Sequence, residues 1–127
     1  MKKILLIALI LTLNILSTSC SKNNDESNPY QGNWSGNLNG DIVGTWSGNV
    51  SSSGNFNGNV IPNSSTPDHN FVLSGQVNES GNLVATMKNT TYNINIDFIG
   101  TFQNNLSNGT WVFNGAGMQG TWNGIKE

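Results

Sequence analysis

The 127-residue chain has no arginine and one cysteine, Cys20. It has one histidine, three prolines, and charged residues at only 9%. Each shortage closes off a class of chemistry. A lone cysteine cannot form an intramolecular disulfide. Beyond Cys20 the cations are Lys22, Lys88 and Lys126, too few to make the basic face that displaces counterions from phosphates, so nucleic acid is not an expected partner. His69, beside Asp68, falls short of the three or four ligands of a typical metal site. No serine stands in a Gly-x-Ser-x-Gly elbow, and nothing places a nucleophile beside His69. Asp41, Glu79 and Asp97 fall in turns or on a polar face, so no facing pair of carboxylates for glycoside hydrolysis is expected. The chain is therefore read as a non-enzyme without cofactor or metal.

One long apolar run is present, and it lies at the start. Lys2 and Lys3 precede Ile4 to Leu16, which Thr12 and Asn14 alone interrupt; Ser17-Thr18-Ser19 then lead into Cys20. This is the layout of a secretory signal peptide, and it is shorter than the roughly 20 residues that span a bilayer. The stretch resembles a bacterial lipoprotein signal, with the leucine of its box, Leu16, one place further from Cys20 than is usual. The resemblance implies that residues 1–19 are removed and that Cys20 becomes an acylated N-terminus, a lipid anchor in the membrane. Two or more acyl chains hold a protein stably, at about 0.8 kcal/mol per buried methylene. Ser21 is not the aspartate that retains such proteins at the inner membrane. The resemblance thus implies the cell envelope, at the outer membrane of a Gram-negative bacterium, and Lys22 with Asp25-Glu26 is similar to surface-export signals. Residues 20–30 read as the lipidated cysteine and a flexible polar tether.

Residues 31–127 read as one domain. No helical periodicity is present. Apolar residues alternate with polar ones over eight segments, near 31–38, 42–50, 55–61, 69–77, 82–88, 91–102, 106–114 and 118–125. Turn-forming pieces separate them, with one longer connection holding Pro62 and Pro67. Short turns between successive strands imply an antiparallel up-and-down meander. All four tryptophans and all five phenylalanines fall on one face, while asparagine, serine and threonine fill the other. An antiparallel sheet covering a single core has this division.

Glycines bracket the tryptophans, as in Gly32-Asn33-Trp34-Ser35-Gly36 and Gly44-Thr45-Trp46-Ser47-Gly48. Opposed residues share a face, so candidate registers follow. Trp111 is expected opposite Gly120, Gly109 opposite Trp122, and Phe113 opposite Met118. Phe98 is expected opposite Phe113, Trp46 opposite Gly58, and Gly75 opposite Leu83. For the first hairpin a three-residue loop stacks Trp34 on Trp46, and a five-residue loop sets each opposite a glycine. Glycine leaves room for an indole and permits bending. Its repetition, despite about 0.5–1 kcal/mol of entropy at each position, predicts strong curvature and an all-β, closed or nearly closed eight-stranded barrel.

The Gly32-Asn33-Trp34 opening resembles the Gly-x-Trp of the first lipocalin strand. The up-and-down order with recurring tryptophans is similar to avidins, and both belong to the calycins. The resemblance implies a barrel that binds a small ligand, and Trp34, Trp46, Tyr92, Phe98, Trp111 and Trp122 are its candidate lining. Two roles are therefore expected. One is a small apolar ligand held inside the barrel. The other is a fully packed barrel acting structurally, or touching a surface glycan or partner protein through its outer face.

Overall fold

The computed structural model describes residues 27–63 and 67–127. The expected signal peptide, Cys20 and most of the tether lie outside the described residues. Eight strands form: β1 (Gly32–Gly40), β2 (Gly44–Val50), β3 (Asn55–Pro62), β4 (Phe71–Val77), β5 (Asn82–Asn89), β6 (Ile94–Gln103), β7 (Leu106–Phe113) and β8 (Met118–Lys126). Each pairs antiparallel with the next, and β8 pairs with β1, so the sheet closes into an up-and-down barrel. Closure leaves no unpaired sheet edge.

The sequence pattern explains the wall. Phe56 and Val60 of β3 are buried while Asn55, Asn57 and Asn59 are exposed, and β4 and β5 repeat this period of two. Three register expectations hold: Trp111 faces Gly120, Gly109 faces Trp122, and Phe113 faces Met118. The first hairpin takes the arrangement that opposes each indole to a glycine, Trp34 to Gly48 and Gly36 to Trp46.

Three other registers differ from expectation by two residues, which preserves the face of every side chain. Trp46 faces Val60 rather than Gly58. Gly75 faces Ala85 rather than Leu83, and Phe98 faces Trp111 rather than Phe113. The turns account for the first two. In each, a glycine at φ +90°, Gly54 or Gly81, closes a turn with a three-residue tip. Gly54 N–H donates to Ser51 O and Gly81 N–H to Asn78 O. Side chains fix the same turns: Ser51 Oγ accepts from Asn55 N–H, and Asn78 Oδ1 accepts from Ser80 and Asn82 N–H. This is the hairpin with a left-handed residue after a tight turn.

The pairings also set the barrel's girth. A circuit from Gly32 passes through Val50, Phe56, Gly75, Ala85, Phe98, Trp111 and Gly120, and returns to β1 at Gly40. The stagger is thus eight residues for eight strands. Strand number and shear together fix tilt and diameter, and this combination is also that of barrels whose interiors are filled by layers of side chains.

The interior is filled here too. Trp34, Trp46, Phe56, Phe98, Phe102, Trp111 and Trp122 are all at most 2% exposed. Ring contacts run from Tyr30 to Phe102 (5.9 Å), Phe102 to Trp34 (4.5 Å), and Phe98 to Trp122, stacked at 4.5 Å. Trp122 meets Trp46 edge-on at 5.5 Å. All four indoles face a glycine that pairs with a second glycine on the next strand; Trp34 faces Gly48, which pairs with Gly58. Trp46 faces Gly36, which pairs onward with Gly124. Trp111 faces Gly120, which pairs with Gly40. Trp122 faces Gly109, which pairs with Gly100. A Cβ at Gly109 would stand 2.6 Å from Trp122 Nε1, and one at Gly120 2.6 Å from Trp111 Nε1. Each indole N–H donates to a backbone carbonyl: Trp46 to Asn123 (2.8 Å), Trp111 to Asn39 (3.1 Å), Trp122 to Ile99 (3.0 Å) and Trp34 to Tyr30 (2.9 Å). The first three acceptors each precede a glycine of those pairs. For Trp46, Trp111 and Trp122 the glycine brackets therefore form a two-strand trough and expose the carbonyl that takes the ring's N–H, which a buried indole requires.

Candidate functional site: the mouth of the barrel

The two ends of the barrel are built differently. At the end where β1 begins, Asn28 is buried and ties the chain down. Its N–H donates to Ser52 O, its Nδ2 to Val77 O at 2.8 Å, and its Oδ1 accepts from Tyr30 N–H. Tyr30 then packs on Phe102. The segment leading into β1, the end of the expected tether, is thus a cork over that end.

The opposite end carries the β1–β2, β3–β4, β5–β6 and β7–β8 connections and has no such cork among the described residues. A recess of about 530 Å³ opens there. Its apolar lining includes Ile42, Phe71, Ile94, Ile96, Phe113 and Met118. Ile42, Ile94, Phe113 and Met118 pack on the core while remaining partly exposed. The rim is polar, with Asp41, Asn63, His69, Asn89 and Tyr92.

Asn89 organises this rim. It is buried, its Nδ2 donates to Asp68 O (2.7 Å) and Asn70 O (3.0 Å), and its Oδ1 accepts from Tyr92 N–H (2.8 Å). One amide thereby joins the β3–β4 connection to the β5–β6 turn. His69 stacks on Tyr92 with ring centroids 5.4 Å apart. Asp41 is held across the next gap, its N–H donating to Gln119 O and its Oδ2 accepting from Gln119 N–H.

Of the six aromatic residues expected to line a ligand site, Tyr92 alone lies at this recess. It is 52% exposed, whereas the sequence pattern put it inside strand six. The correction is local. Asn93 takes φ 53°, a left-handed conformation that asparagine tolerates, so the strand starts at Ile94 and Tyr92 swings to the rim. Trp34, Trp46, Phe98, Trp111 and Trp122 lie together in the packed interior. Pattern reasoning did not single out Ile42, Phe71, Phe113, Met118 or Asn89. Their positions at strand ends were the available signal. Among the described residues, no group of three or more His, Cys, Asp or Glu side chains could hold a metal ion.

A second concavity, of about 540 Å³, runs along the outer wall over β1 and its neighbours. Ser35, Asn37, Thr45 and Asn123 line it together with Ile61 and Ile125. No family model, no curated protein and no solved structure matches this chain.

Proposed function

We propose that this protein is an exported, lipid-anchored binding module that holds a small apolar molecule at the open mouth of its barrel. The carrying observation is the asymmetry of the ends: one corked by Asn28 and Tyr30, the other an apolar recess that no described residue caps. Its volume lies within the range of small-molecule sites, which combine an apolar lining with a few placed polar groups. The anchor reading rests on the apolar leader and Cys20. The chain enters at the corked end, so an anchor there leaves the mouth facing away from the membrane.

Two experiments test this reading. Amide and methyl NMR spectra of residues 21–127 are recorded with a panel of small apolar compounds. Shifts at Ile42, Ile94 and Met118 are expected. A panel that moves none of them, or moves only the outer wall, contradicts the mouth as the site. Tryptophan fluorescence is a poor reporter because all four indoles lie away from the recess lining. For the anchor, an alkyne fatty acid fed to the expressing bacterium is expected to label the protein, and Cys20→Ala to abolish both label and membrane retention. An unlabelled, soluble wild-type protein would end that part of the proposal.

A second reading draws on the outer groove, whose amide and hydroxyl groups suit a surface glycan. Shifts confined to Ser35, Asn37 and Asn123 on adding oligosaccharides would favour it.

A further inference from the structure

Among the described residues the fixed charge lining the mouth is of one sign, and this bears on which molecule it takes. The inference rests on the reading of the mouth as a ligand site. Among the described residues, Asp41 is the one lining residue with a fixed charge. Its Oδ2 accepts from Gln119 N–H at 2.9 Å, which holds the carboxylate at the rim. Asp68 precedes His69 in the 3-10 turn at the same end. No described lysine lines the recess. Lys126 is the last residue of β8, opposite Trp34 at the corked end. Lys88 lies at the mouth end of β5, next to Asn89, but it pairs with Val72 and is exposed on the outer wall rather than in the lining.

An anionic head group seated at this rim would lose water without gaining a fixed cationic partner, and would lie beside Asp41. Unpaired charge is costly to desolvate. A neutral head meets no such penalty. A quaternary ammonium head is drawn to Asp41 and finds aromatic rings in the lining, Tyr92, Phe71 and Phe113, a ring type whose quadrupole attracts cations. We infer that the mouth selects small amphiphiles with a neutral or cationic head over those with a carboxylate, sulfate or phosphate head.

The test uses three probes with one apolar body: decyltrimethylammonium, decan-1-ol and decanoate, each below its micellar concentration. Dissociation constants are measured with residues 21–127 at neutral pH, and the site is located by NMR shifts. The ammonium and the alcohol are expected to bind with shifts at Ile42, Tyr92, Ile94 and Met118. Decanoate is expected to bind at least about tenfold more weakly than the ammonium, a ratio equivalent to about 1.4 kcal/mol. Added salt should narrow that ratio. Asp41→Asn keeps an oxygen for Gln119 N–H and should lower ammonium affinity toward that of the alcohol. Decanoate binding at the mouth as tightly as the ammonium would overturn the charge selection and leave the mouth standing as a site. Failure of all three probes to shift mouth residues would overturn both readings.

Discussion

Gly109→Ala puts the interlock of rings and glycines under direct strain. The added Cβ would overlap the Ile99 carbonyl oxygen and stand 2.6 Å from both Gly100 Cα and Trp122 Nε1. That carbonyl is also the acceptor for the Trp122 N–H. The methyl must therefore push two strands apart or displace the indole from its partner. Overpacking a well-filled core costs about 1–3 kcal/mol. A buried donor left without its acceptor costs about a further 1–3 kcal/mol. Against these, alanine narrows the unfolded ensemble by up to about 1 kcal/mol. The expected net loss is about 3 kcal/mol, read as a fall in the urea midpoint at constant slope. In a domain of this size it amounts to more than about 10 °C in melting temperature. Gly115→Ala is the control. That glycine is exposed, lies outside the positive-φ set, and would bring its Cβ near the Phe113 ring alone. Its effect should stay within about 0.5 kcal/mol. Trp122→Phe removes the Nε1 edge, so the double variant should lose at least about 1 kcal/mol less than the sum of the singles. Gly109→Ala unfolding at the wild-type midpoint, or strict additivity with Trp122→Phe, would refute the interlock.

Other substitutions probe separate parts of the molecule. Ser107 points inward opposite Gly124, and its Oγ is buried without a hydrogen-bond partner among the described residues. Ser107→Ala should leave stability unchanged or raise it by about 1 kcal/mol, and a clear loss in urea unfolding would mean that the hydroxyl is satisfied. Asn28→Ala uncorks the closed end, with an expected loss of about 1–3 kcal/mol and faster amide exchange at Val77 and Tyr30; unchanged exchange there would contradict the cork. Asn89→Asp turns a two-carbonyl donor into a carboxylate facing those carbonyls. It should destabilise the barrel by more than about 2 kcal/mol and release the His69–Tyr92 stack, visible as altered ring shifts of both residues.

The wall of this barrel could be read from its residues, because a period of two assigns each side chain to a face whatever the register. Register depended on the turns. Serine, asparagine and glycine at 51–54 and 78–81 allow several turn lengths of the same parity, and only the side-chain bonds from Ser51 and Asn78 choose among them. The glycine brackets announced room for indoles, but not that each trough spans two strands or supplies the acceptor carbonyl. Those facts depend on the stagger of eight residues around the closed sheet. The mouth was hardest to see. Its lining is gathered from the ends of several strands, and its key bond joins Asn89 to residues 68 and 70, 21 and 19 positions away. Tyr92 was assigned inward because alternation was carried through a turn that Asn93 breaks.

Xenon offers the most direct test of where this molecule is hollow, since it enters dry apolar cavities and reports them through neighbouring methyl groups. Under xenon pressure, methyl shifts should be confined to Ile42, Ile94, Ile96 and Met118 at the mouth. Equal or larger shifts at Leu73 and Val50, buried and outside the recess lining, would contradict a filled barrel that is hollow at its open end.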